Sequence, residues 1–250
     1  MTDRSDSAVL ALPGARIFGR RAGDAEGVFR GAGSLLAATY RAADGWFFWL
    51  LAAHLPLIAA LAPLRGTWTA ALLFGVPVIA AGMAAARLAR GTFFARCAVA
   101  TSLLLVSALI IHQSGGMIEM HFHIFAILSF LLMYRDWRVP VVGAVVVAAY
   151  HAAAHVAQMA GTGIVLFADH GGWGIVAVHA GWVVFQVAVL AHVARGLASE
   201  TRQAESLMRV AERLGEGDLT ARAERGAGAV GDAAEAMNQG TVRMADTIRT

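Results

Sequence analysis

The chain has 250 residues, is 58% hydrophobic and only 15% charged, and has a mean hydropathy of +0.62. A soluble domain carries nearer a quarter charged residues, so a water-soluble globular protein is excluded. The pI of 9.7 accompanies a net charge of only +3, and the arginines sit beside apolar runs or among acidic residues, which argues against a nucleic-acid partner. No lysine occurs. Cys97 is the single cysteine, so an intrachain disulfide and a CxxC metal site are both impossible.

Residues 1–44 read as a flexible, Gly- and Arg-rich cytoplasmic segment with a short helix near 34–41. They carry no cleavable signal pattern: Ala8 to Leu12 is too short for a signal core, and Arg16, Arg20 and Arg21 follow it. Residues 45–198 read as a membrane sensor domain. Only nine charges interrupt the stretch from Trp46 to Ala194, and they separate apolar runs of about 20 residues, the length of a crossing helix. Six spans are expected, at 46–64, 67–86, 95–113, 119–135, 139–160 and 173–195. Each must be helical, because open backbone finds no partner in lipid. Six spans put both ends on one side, and nineteen of the twenty arginines fall there, with Arg65 alone opposite. The positive-inside rule then places both termini in the cytoplasm, and the expected location is a bacterial inner membrane.

An imidazole in hydrocarbon needs a partner, so the histidines are the candidate site. Seven of the nine (His112, His121, His123, His151, His155, His170 and His179) map to the outer half. At 1.5 Å of rise per residue, His155 lies about 7 Å, His179 about 9 Å, His151 about 13 Å and His54 about 15 Å below the outer face. His155 and His179 therefore share one level, and His54 and His151 a deeper one. His151 and His155 stand at i and i+4, the spacing of a ligand pair on one helix face.

Three readings stay open. A copper or zinc site would draw on His112, Glu119, His121, His123, His151 and His155, with Met117 and Met120 nearby favouring reduced copper. Haem b would sit between His155 and His179 or between His54 and His151. Otherwise the rings are neutral hydrogen-bonded links between helices or proton-sensing groups. No nucleophile constellation is present, so no enzyme is expected. No carboxylate lies deep within a span, which argues against a transporter.

From about Leu197 the composition turns to Arg, Glu and Ala with spaced apolar residues. Ala204, Leu207, Ala211 and Leu214 step by three, four and three, a coiled-coil seam. Gly215, Gly217, Asp218 and Leu219 break the helix. A Gly-rich connector follows, and a second periodic stretch runs through Val230, Ala233, Met237, Thr241, Met244 and Ile248. Helix, connector and helix after a last span resembles a HAMP signalling domain over roughly 200–250. The likeness rests on Val210-Ala211-Glu212-Arg213-Leu214-Gly215-Glu216-Gly217-Asp218-Leu219-Thr220 and on Ala236-Met237-Asn238. A proline usually opens the first helix of such domains, and Gln203 stands at that place here.

The run from His112 through Gly115-Gly116 to Glu119-Met120-His121-Phe122-His123, with Tyr134-Arg135-Asp136-Trp137-Arg138 after it, is similar to the multi-span sensor region of some bacterial methyl-accepting chemotaxis receptors and sensor histidine kinases. These resemblances imply an all-α fold, a six-helix transmembrane bundle over 45–198 followed by a HAMP-like relay over 199–250. They also imply a homodimer and a cytoplasmic output module, whether outside these residues or supplied by a partner. The expected function is a membrane receptor for a metal- or redox-linked stimulus. The alternative is a b-type haem electron carrier using the same histidines.

Overall fold

The computed structural model describes residues 35–168, 172–226 and 228–249. Its described elements are all helical. The 1–34 portion of the N-terminal segment, with its expected flexibility, lies outside the described residues, as does His170.

Helix α1, Leu35–Arg65, buries Phe47, Leu51, His54, Ile58 and Ala62, a stripe stepping by four, three, four and four. It begins at Leu35 without a break at 44, so the short helix expected near 34–41 is the first part of this longer one. Helix α2, Trp68–Leu88, contains a π turn at Ala71–Gly75 just before Pro77. Proline has no N–H, and its ring crowds the carbonyl four residues back, so the wider turn takes up the mismatch. The buried face of α2 is Gly75, Ile79, Gly82 and Ala86. Small residues there let three helices approach closely. A Cβ on Gly75 would lie 2.6 Å from Leu109 and 2.7 Å from Ile58, and one on Gly82 2.7 Å from Ser102.

Helix α3, Phe93–Gln113, is the centre of the bundle. Thr92 caps it by accepting the Ala95 N–H at 3.1 Å, and 72% of its apolar window is buried. A helix apolar all round belongs inside, and this one packs against α1 and α2. Helix α4, Ile118–Tyr134, finishes with a 3₁₀ turn over Leu131–Tyr134. Helix α5 is Arg138–Met159, α6 is Trp173–Gly215 and α7 is Gly228–Arg249.

Five helices (α1, α2, α3, α5 and α6) are long and apolar enough to cross a membrane. The fourth expected span is the shorter α4. Thirteen α and four 3₁₀ residues extend about 27 Å, just under the hydrocarbon thickness. Exposed apolar side chains such as Leu73, Phe94, Val145, Val178 and Phe185 ring the bundle, as lipid contact requires. The chain is a multi-pass membrane protein.

At the arginine-rich end, a buried polar knot ties the bundle. Asp44 is fully buried and accepts the Tyr134 hydroxyl at 2.8 Å and the Gly91 amide at 2.6 Å. Asp136 pairs with Arg96 at 3.1 Å and with Arg138 at 2.9 Å. The Arg96 guanidinium lies over the Tyr40 ring at 3.8 Å.

Helix α6 is the longest element, 43 residues or about 65 Å. It runs through 198 without a break. Below the bundle its Leu207, Val210 and Leu214 pack with Ala221 and Ala223 of the connector and Ala234 and Met237 of α7. Within the chain, Leu207, Leu214 and Met237 of the expected seam pack together, with Val210 and Ala234 beside them. Val210, not Ala211, is buried, Ala234 replaces Ala233, and Ala211 and Met244 are exposed. Ala204 is half-buried in the groove between α1 and α6, and Val230 is half-buried too. The connector sets this register: the Asn238 amide brackets Ala223, receiving its N–H at 2.8 Å and donating to its carbonyl at 3.0 Å. The Ser206 hydroxyl accepts the Glu224 N–H at 2.9 Å.

Candidate functional site

The histidines gather at the other end of the bundle and sort into two sets. The first is a chain in the core. His54 donates Nδ1–H to the Leu50 carbonyl at 2.6 Å, so its Nε2 carries a lone pair. His123 Nε2 lies 3.1 Å from it, and His123 Nδ1 lies 2.8 Å from the Ser107 hydroxyl, whose single proton also has the Leu103 carbonyl within reach at 3.0 Å. Every ring nitrogen of the pair has a hydrogen-bonding neighbour. Such a chain links α1, α3 and α4 as polar glue.

The second set is His121 on α4, His151 on α5 and His179 on α6. Their ring centroids lie 5.8 Å (121–151), 5.3 Å (121–179) and 6.5 Å (151–179) apart. Each ring donates Nδ1–H to the carbonyl four residues back: Met117 at 3.1 Å, Val147 at 2.9 Å and Ile175 at 2.9 Å. Each Nε2 therefore carries a lone pair. His121 is only 2% exposed, and its Nε2 is buried without a hydrogen-bond partner. That is a cost of about 1–3 kcal/mol unless a ligand relieves it. No structural role explains it.

The three rings line a cavity of about 110 Å³ whose other walls are apolar, among them Ile124, Phe125, Val147, Val176 and Val183. Phe167 covers one side, stacked on His121 at 5.5 Å and tilted against His179 at 5.4 Å. Its loop is held by Gln158, which accepts the Leu166 and Phe167 amides and donates to the Phe167 carbonyl. His112 Nδ1 accepts the Val165 amide at 3.1 Å and holds the same loop. Gly116, at φ 78°, lets the α3–α4 turn pass beneath the Phe167 backbone, where a Cβ would collide.

The expected partnerships are thus rearranged. His54 meets His123 and not His151, and His155 packs edge-on against Trp173 at 4.6 Å and not against His179. Of the six residues suggested for a metal, only His121 and His151 share the cavity. His112 serves the loop, His123 the core chain and His155 an aromatic contact, while Glu119 is exposed. Among the described residues no three His, Cys, Asp or Glu side chains are placed to hold a metal ion. For haem, the cavity of about 110 Å³ beside His151 and His179 is far smaller than a porphyrin. His192 is exposed.

Spacing along the chain fixes a ring's level on its helix axis. It does not fix azimuth, and helix rotation decides which ring faces which neighbour. His179 was a candidate by its level on α6, and its meeting with His121 and His151 comes from how α4, α5 and α6 pack. Comparisons with protein-family models, with curated proteins and with solved structures gave no match.

Proposed function

We propose that the chain is a transmembrane signal receptor of the chemotaxis or two-component kind. It receives a metal- or redox-linked stimulus at its outer-side histidines and relays it through a HAMP-like helix–connector–helix in a homodimer. On this reading α4 completes six crossings, and both termini lie in the cytoplasm of a bacterial inner membrane.

One observation carries the reading. Helix α6 is unbroken from Trp173 to Gly215, with His179 in the cavity near one end and Leu207, Val210 and Leu214 in the connector cluster at the other. A rigid helix transmits rotation or tilt along its length. A ligand that binds one arrangement of α4, α5 and α6 more tightly than another shifts the tail by that difference, typically about 1–3 kcal/mol.

Cysteine cross-linking in native membranes tests this. In a Cys97→Ser background, half-buried Leu207→Cys and Leu214→Cys should cross-link between two chains, while exposed Glu212→Cys should not. Tags at both ends should be reachable only from the cytoplasmic side. Ends on opposite faces, or cross-links without helical periodicity, would overturn the receptor reading.

A further inference from the structure

We infer that the His121–His151–His179 cavity binds a lipid-soluble aromatic ligand bearing hydroxyl donors, of the quinol class, and prefers it to the oxidised, carbonyl-bearing form. The inference deepens the receptor reading and rests on it for the depth of the site within a bilayer.

The cavity presents acceptors alone. All three Nδ1–H groups are committed to their own helices, which leaves three Nε2 lone pairs facing one apolar space. The His121 lone pair has no partner at all. A ligand that donates hydrogen bonds relieves this, whereas a carbonyl oxygen set against the same lone pairs repels them. Size points to one ring. An apolar cavity of about 150 Å³ holds benzene, and about 110 Å³ with an open side suits a ring head whose tail leaves through the mouth.

The direction of that mouth selects a ligand from the bilayer. Phe167 and the loop pinned by Gln158 cover the side nearest the helix ends, with Leu166 and Phe167 both buried. The lining residues that are exposed are Ala148, Ala180 and Val184, on the apolar outer surface of α5 and α6. A water-borne ion meets the Phe167 cover, and a lipid-soluble molecule meets an opening between small side chains. The larger groove of about 510 Å³ beside α2, α3 and α5 has no such unpaired nitrogen.

The test uses the full chain in phospholipid nanodiscs, titrated calorimetrically with a decyl-substituted benzoquinol and separately with the matching benzoquinone. Saturable quinol binding, roughly tenfold or more tighter than the quinone, is expected from one or more hydrogen bonds made only by the donor form. His179→Ala, at a half-buried position, should weaken quinol binding by roughly tenfold and reduce the preference. His121→Leu should do the same, and His155→Ala should leave binding unchanged. Equal affinity for the two forms, absence of saturable binding, or insensitivity to His179→Ala would overturn the inference. So would stoichiometric zinc chloride binding that competes with the quinol and is lost in His179→Ala, since the site would then be a metal centre. Failure of the receptor reading has a separate signature: quinol binds with the expected preference, yet the Leu214→Cys cross-link does not respond.

Discussion

Asp136 shows how one residue holds the arginine-rich end together. Burial alone would push its carboxyl up, but hydrogen bonds from Arg138 and the Arg138 and Arg96 charges hold it below the usual range. Arg96 beside it is buried too, with a side chain only 4% exposed. Asp136→Asn would therefore leave a buried guanidinium without its counter-ion. Removing one partner of such a pair destabilises by about 3–5 kcal/mol, so the thermal unfolding temperature of the detergent-solubilised protein should fall sharply. Arg138→Ala, whose side chain is half exposed, should cost far less.

Asp218 offers a milder pH handle in the connector. Hydrogen bonds from the Thr220 hydroxyl and amide, then from Arg213, bring its carboxyl down to about 2. A depressed folded value means that its contribution is complete above the ordinary carboxylate value near 4 and is lost as pH falls toward 2. The Arg213 end of α6 should loosen in that window, and Asp218→Asn should remove the pH dependence. Protease susceptibility after Arg213 reads both effects, and an unchanged profile in the variant would contradict this account.

Among the elements, the helices were legible because hydrophobic length and arginine placement are properties of single segments. The short fourth helix follows from where Glu119, His121 and Arg135 stand. The packing partners inside the tail were not legible. Ala211 and Val210 are neighbours of similar apolar character, and the choice between them is made by connector contacts from Asn238 and Ser206 that no periodicity encodes. The histidine partnerships were lost for the same reason: Ser107 and Phe167, which decide them, come from other elements.

Element-level stability in α7 is open to improvement. Gly240 is helical and exposed, and a Cβ added there would meet no atom within 4 Å. Gly240→Ala should stabilise the tail by about 0.5–1 kcal/mol through lower unfolded-chain entropy. Helical content of the tail against temperature measures it. No gain would mean that α7 is not limited by its own helix formation.

At the scale of the whole molecule, the α4–α5 turn is where the bundle grips α6 on its way out. Arg135 bonds the Thr201 hydroxyl, and Arg195 lies over the Trp137 ring at 4.3 Å. Arg135 does so with φ at 50°, a left-handed conformation that costs a non-glycine residue about 1–2 kcal/mol. Glycine would relieve that strain but lose the contact. Two effects of opposite sign are thus combined in one side chain, and a pair of substitutions separates them. Arg135→Gly should leave thermal stability nearly unchanged, because the relieved strain offsets the lost bond, whereas Arg135→Ala should lower it. Both should weaken the grip on Thr201 equally, so that a ligand-induced change in the Leu214→Cys cross-link shrinks in both while ligand binding at the histidine cavity persists. If the cross-link response survives in either variant, the turn is a structural corner, and movement reaches the tail through α6 alone.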